Sequence, residues 1–281
     1  IYVVDDDNIL KGRLSLKKMI LSPTSTKIQS IYNPDVTYVT TDEPAESVGR
    51  IMQKYDLVAI PVVDSIGRLV GRITIDDVVD VIREEAEKDY QMMSGISQDV
   101  ESSDTIWDQT KARLPWLIIG LFGGMLAAYM ISFYEADIAL FPATAMFIPV
   151  ITAMGGNVGI QSSAIVVKGL ASNTLTSKNI FQSISKEISC AVINACICSS
   201  IIFILSLCFN LTSLAMPITV TISLFIVIMF ASMFGTAFPL LLNKLKIDPA
   251  LATGPFITLT NDIIGLNIYL FTGKAILGWL L

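Results

Sequence analysis

The chain has 281 residues, 53% of them hydrophobic, and a formal net charge of −6 with no histidine. The lack of histidine excludes imidazole bases, imidazole metal ligands and Ser-His or Cys-His catalysis, and the hydrophobic share is high for a soluble protein. Of 25 acids and 19 bases, residues 116–281 hold five acids (Glu135, Asp137, Glu187, Asp248, Asp262) and six lysines, leaving 20 acids and 13 bases in front. An acidic soluble front and a nearly neutral, membrane-like back are expected, with cations rather than nucleic acid as partners.

The front contains a repeat. IYVVDDDNILKGRLSLKK from Ile1 aligns without gaps on IPVVDSIGRLVGRITIDD from Ile60, an offset of 59 residues. Each copy predicts a strand, a turn rich in Asp, Asn or Gly, a second strand, and a helix start capped by Ser15 or Thr74. Between the copies, Val48, Ile51, Met52 and Tyr55 have helical spacing. This pattern resembles the CBS domain, a regulatory module that occurs in pairs. Residues 1–33 correspond to the C-terminal half of a first copy and residues 34–88 to a complete second copy. The chain opens with Ile1 in mid-motif and is expected to be a fragment.

Gly71, Thr74 and Asp77 match the Gly-x-x-Thr-x-x-Asp pattern by which many CBS domains hold nucleotide ribose, so the resemblance implies an ATP site at Thr74 and Asp77. The first copy has Gly12, Ser15 and Lys18, which lacks the acid. The same residues also read as an N-cap with a favourable charge in the first helical turn.

Residues 89–114 form an acidic linker and connecting helix. Asp76, Asp77, Asp80, Glu84 and Asp89, followed by Asp99 and Asp104, repel one another unless they are solvated or occupied by cations. Read functionally, they are a regulatory divalent-cation set, joined by Asp248 further along. Oxygen ligands suit magnesium or calcium.

Residues 115–281 carry five apolar segments long enough to cross a bilayer: about 116–134, 139–167, 188–209, 216–242 and 250–281. Pro115 suits the first turn of the first span. The four cysteines, Cys190, Cys196, Cys198 and Cys208, lie in one apolar run and read as small helix-packing residues. Lys168, Lys178 and Lys186 fall between spans two and three, and Lys244 and Lys246 between four and five. The positive-inside rule puts the N-terminus in the cytoplasm and the C-terminus outside, in the plasma membrane.

Asp262 is the one carboxylate in the run from Pro255 to Gly273. Counted from Ala250 at 1.5 Å per residue, it lies about 18 Å above the cytoplasmic end of its span, and Gly155-Gly156-Asn157 lies at similar depth, counted back from Lys168. A charge at that depth faces a bundle interior or a water-filled path. The glycines Gly155, Gly156 and Gly159 allow either an opened backbone that lines a cavity or close helix packing. Ala231, Gly235 and Pro239 read as packing. Gly254, Thr258 and Asp262 share one face.

GGNVGIQSS (Gly155 to Ser163), KGLA (Lys168 to Ala171), DPALATGPF (Asp248 to Phe256) and NDIIGL (Asn261 to Leu266) resemble the signature segments of MgtE-type magnesium transporters. The resemblance implies an α+β CBS module followed by an all-α bundle of five transmembrane helices, and a homodimer with its ion path between subunits. It implies that Asp262 holds hydrated Mg2+, with Gly156, Asn157 and Thr258 lining the pore, and that the family's N-terminal domain and the first half of CBS copy one are missing. Cytoplasmic Mg2+ on the acidic set would then close the spans. Alternatives are a transporter of another divalent cation, such as cobalt, or an intramembrane aspartyl protease, which needs two facing acids.

Overall fold

The structure is a computed structural model that describes residues 1–172, 174–175, 180–208, 214–252 and 254–280. Lys178 and the expected span ends Phe209 and Leu281 lie outside the described residues. The chain divides into two units, Ile1–Glu87 and Lys88–Leu281.

In the first unit the repeat is visible bond by bond. Strands β1 (Tyr2–Val4) and β2 (Leu10–Arg13) pair antiparallel, as do β4 (Ala59–Val63) and β5 (Leu69–Thr74). Tyr2 faces Arg13 as Pro61 faces Arg72, Val3 faces Gly12 as Val62 faces Gly71, and the register slips at the same place in both hairpins. The Asp5 carboxylate accepts from the Asp7 and Ile9 amides, and Asp64 accepts from Ile66 and Arg68 in the same way. These Asx turns need one left-handed residue each, supplied by Asn8 (φ 64°) and Gly67 (φ 86°).

Helix α1 (Leu16–Leu21) follows β2. In the second copy, β3 (Val39–Thr40) runs parallel to β4, with α2 (Ala45–Lys54) as the crossover and α3 (Ile75–Met93) after β5. Val48 and Met52, four residues apart on α2, meet Val39, Ile60 and Val78 in a small core.

The second unit consists of α4 (Ile106–Ser132), α5 (Glu135–Leu140), α6 (Ala143–Ala171), α7 (Ile180–Leu207), α8 (Ala215–Lys244) and α9 (Pro255–Leu280). Four of these helices, α4, α6, α7 and α8, are long and apolar enough to cross a membrane. These four are the candidates among the described residues, so the fifth expected span, which corresponds to α9 with its Asn261, Asp262 and Asn267, is not among them. The core lies between α6, α7, α8 and α9, where Phe147, Ile151, Ala195, Val220, Leu224, Val227, Leu266 and Tyr269 are buried.

Several local expectations change. Pro115 lies inside α4 and not in its first turn, because Thr105 caps a longer helix by accepting from the Asp108 amide. The expected linker, residues 89–114, is therefore the end of α3, a loop and the start of α4. Lys168, Lys186 and Lys244 sit within helical turns and not in loops. On α7 the inward face is filled by Ala191, Ala195 and Ser199, spaced four apart, which leaves Cys190 and Cys196 exposed, as is Cys208 just beyond the helix, whereas Cys198 packs against the core as expected.

Candidate functional site

Helix α6 runs unbroken through Gly155-Gly156-Asn157, so its carbonyls stay in the helical ladder and the opened-backbone expectation is not met. The glycines serve close approach. A Cβ at Gly235 of α8 would lie 2.4 Å from the Gly159 carbonyl oxygen, and a Cβ at Gly155 would lie 3.2 Å from Val227. A Cβ at Gly159 would run into the Asn261 side-chain amide of α9. Only hydrogen fits at Gly235, where the α6 and α8 backbones come this close, while Gly155 and Gly159 make room for the side chains of Val227 and Asn261.

Gly156 faces α9 at one particular point. A Cβ there would be 3.3 Å from Thr258 Cγ2 and 3.6 Å from Asp262 Oδ1. The structure thus brings Gly156, Thr258 and Asp262 together, while Asn157 on the next position of α6 is exposed. The depth count needs revision, since a short helical turn at Pro249–Ala252 and the left-handed Gly254 (φ 65°) precede α9. Asp262 is seven residues into α9, about 10 Å along it, and its level with Gly156 rests on direct proximity.

Thr258 is held by its own helix, its amide and hydroxyl both donating to the Gly254 carbonyl at 3.1 Å. Among the described residues no basic side chain pairs with Asp262, and the nearest lysine on α9, Lys274, pairs with Asp137 of α5 at 3.0 Å. Asn261, singled out in the sequence only as the start of the NDIIGL segment, is 1% exposed with neither side-chain polar atom bonded.

A second feature escaped sequence reasoning. Gly95 (φ 77°), just beyond α3, packs on Pro255, and a Cβ there would be 2.6 Å from the Pro255 Cγ. A Cβ at Gly254 would be 2.1 Å from the Met93 carbonyl oxygen. The loop after α3 is thus interlocked with the first residue of α9. The nearest signal was a glycine on each side of the contact, one of them directly before Pro255.

The acidic set is dispersed. Asp76, Asp77, Asp80 and Glu84 lie along α3, and Asp89 near its end. Asp99 accepts from the Gln91 amide at 3.0 Å, Asp104 from the Glu101 backbone at 2.8 Å, and Asp248 from the Ala250 backbone at 2.9 Å. Among the described residues no three acids gather to hold a metal ion. Asp77 takes both the Thr74 amide (2.9 Å) and hydroxyl (2.6 Å), bonds that hold its carboxyl below the usual carboxylate range. That is the capping geometry of a helix start, with the carboxylate reaching back to the residue before α3.

Comparison with known proteins follows this geometry. Residues 148–272 match the MgtE model, a divalent cation transporter, and residues 28–84 match the CBS domain, against the expected 34–88. The chain is 36% identical over 269 residues to the magnesium transporter MgtE of Bacillus subtilis, covering 96% of this chain and 59% of that protein. It is 34% identical over 283 residues to the protein of the same name from Thermus thermophilus, covering 99% and 62%. The chain thus spans about six tenths of the length of these relatives. A solved cytosolic domain of the Mg2+ channel MgtE in complex with ATP is 52% identical over 29% of this chain and 33% of that one, with a TM-score of 0.28.

Proposed function

With residues 148–272 belonging to the MgtE family of divalent cation transporters, we propose that this chain conducts Mg2+ across a membrane and that Asp262 is its ion site. The observation that carries the reading is the contact of Asp262 with Gly156 of α6, a carboxylate without a basic partner among the described residues on a helix of the bundle core. Magnesium dehydrates reluctantly and is held through its waters by one or two carboxylates. The missing side chain at Gly156 leaves room for such a water layer beside Asp262.

In this reading α9 is the fifth span, its polar residues being tolerated because they face the ion path and not lipid. Two chains supply two Asp262 side chains to one path, Asn157 and Thr258 line it, and the N-terminus is cytoplasmic with the C-terminus outside. The family is one of transporters, which leaves the aspartyl protease alternative without support. Uptake of Mg2+ into liposomes by the purified chain tests the function, with cobalt assayed in parallel. Flux equal to that of empty liposomes overturns it, and flux of cobalt alone selects the other divalent reading.

A regulatory role for the acidic set is favoured by one observation, the packing of the loop after α3 against Pro255 and Gly254 at the foot of α9. Ions on the acidic set, Asp76, Asp77, Asp80, Glu84, Asp89, Asp99, Asp104 and Asp248, would shift this loop, and with it the helix that carries Asp262, by linkage. Limited proteolysis across residues 84–110 with and without millimolar Mg2+ checks it, and identical cleavage patterns contradict it. ATP at Thr74 and Asp77 is a separate proposal. It requires nucleotide to compete with the Thr74–Asp77 bonds, and an ATP titration without saturation removes it.

A further inference from the structure

The short helix α5 joins α4 to α6, two helices long and apolar enough to cross a membrane, so it marks an end of the bundle where the chain turns at a membrane surface. There α5 is tied to α9 by one ion pair, Lys274 Nζ to Asp137 Oδ2 at 3.0 Å, with the lysine side chain 59% exposed and the aspartate 31%. An isolated pair this exposed adds little to stability, so fastening α5 is a weak reason to have it. Beside the pair, α5, the start of α6 and the end of α9 enclose a half-open cavity of about 250 Å3. Tyr134, Ile138, Phe141, Leu270 and Leu277 make its walls, and both Asp137 and Lys274 are on its lining.

Walls that are mainly apolar, with one ion pair among them, suit an amphiphile. An apolar cavity of about 150 Å3 already takes a guest the size of benzene, so this one admits a stretch of acyl chain. It is smaller than the roughly 300 Å3 at which pockets begin to enclose a whole drug-sized ligand, so the rest of the guest lies outside. Leu140, also on the lining, is 72% exposed, which continues the apolar surface from the cavity outward. The level is that of lipid headgroups. Tyr129 and Phe133, 60% and 61% exposed, pack edge to face at the end of α4 with ring centroids 4.9 Å apart, and Tyr134 follows them, as in the aromatic belt of a membrane protein.

We infer that this cavity is a site for one phospholipid whose headgroup carries both a phosphate and a primary ammonium, the chemistry of phosphatidylethanolamine. Lys274 has three N–H donors and the Asp137 carboxylate about four lone-pair positions, and their bond to each other uses one of each. The phosphate accepts from Lys274 and the headgroup ammonium donates to Asp137, so each charge of the protein pair meets its opposite. A choline headgroup has no N–H to give Asp137. A purely anionic headgroup faces the Asp137 charge with nothing to offer it, and Glu135 two residues earlier adds a second acid to the same turn. The acyl chain nearest the headgroup enters between Phe141, Leu270 and Leu277. The inference stands on the membrane helices and this cavity, and not on Asp262 as the ion site.

Native mass spectrometry of the purified full chain, titrated with phosphatidylethanolamine, phosphatidylcholine and phosphatidylglycerol of identical acyl chains, tests it without any transport assay. The expected result is one phosphatidylethanolamine retained per chain, about tenfold tighter than either other lipid, the worth of one charge-assisted hydrogen bond. Lys274→Gln removes the phosphate partner and is expected to erase that preference. Gly278→Leu leaves both charges in place. A Cβ at Gly278, which is on the lining, meets nothing within 4 Å, so the new side chain has room to form and takes space the acyl chain needs. It is expected to lower retention of phosphatidylethanolamine to the level of the other lipids. Equal binding of the three lipids by the wild-type chain, or a preference for either of the other two, overturns the site. So does wild-type retention of phosphatidylethanolamine by Gly278→Leu, which decides alone if Lys274→Gln does not fold.

Discussion

Replacing Gly156 with alanine separates the ion-site role of this glycine from a packing role. The added methyl would stand 3.3 Å from Thr258 Cγ2 and 3.6 Å from Asp262 Oδ1. The first contact is tight by a few tenths of an ångström and the second is ordinary, so the helices need little adjustment. Alanine favours a helix interior over glycine by about 0.5–1 kcal/mol, which offsets a small overpacking term. Net stability should change by less than about 1 kcal/mol, or a few degrees in Tm. The methyl nevertheless occupies the space a bound water would use beside the carboxylate. Mg2+ uptake into liposomes is expected to fall at least tenfold with the melting temperature in detergent held within those few degrees. Wild-type uptake by Gly156→Ala refutes the reasoning, since the ion would then not pass on the Gly156 side of Asp262.

Other glycines carry predictions of opposite sign. Gly235→Ala pushes a Cβ to 2.4 Å from the Gly159 carbonyl oxygen and should destabilise the bundle by about 1–3 kcal/mol, while Gly124→Ala on α4, with nothing within 4 Å, should raise the melting temperature slightly. Equal shifts for the two variants contradict the α6–α8 contact. The repeat offers the same contrast in the first unit. Gly12→Ala meets the Asn33 carbonyl oxygen at 2.2 Å, whereas Gly71→Ala, its counterpart 59 residues on, meets nothing within 4 Å. Only the former should make residues 1–87 of the full chain sensitive to protease.

Features carried by local pattern were legible. The hairpins at β1–β2 and β4–β5 follow from alternating Val and Ile around an Asp-led turn, and both the offset of 59 and the left-handed Asn8 and Gly67 appear as that pattern requires. The approach of Gly156 to Asp262 was foreshadowed by depth, although the count leaned on a helix starting at Ala250 that in fact starts at Pro255. Pro115 misled because proline fits the first turn of a helix and survives in an exposed interior, and only the cap at Thr105 decides between them. The contacts of Glu187 with distant helices left no trace. Its carboxylate accepts from Ser162 and Ser232, which lie 25 and 45 residues away, and small polar residues in an apolar helix look alike whether they meet a carboxylate or merely pack.

The central claim is that Asp262 holds the transported ion. A divalent ion about 4 Å from a carboxylate, with one water layer between, is held by about 2 kcal/mol even at the dielectric constant of water, which corresponds to about thirtyfold in affinity. The decisive measurement is Mg2+ uptake by liposomes bearing Asp262→Asn beside the wild-type chain, at matched protein incorporation and melting temperature. Loss of at least thirtyfold in uptake at low Mg2+ is the predicted result. Wild-type uptake by Asp262→Asn contradicts the account and moves the ion path away from the meeting of α6 and α9.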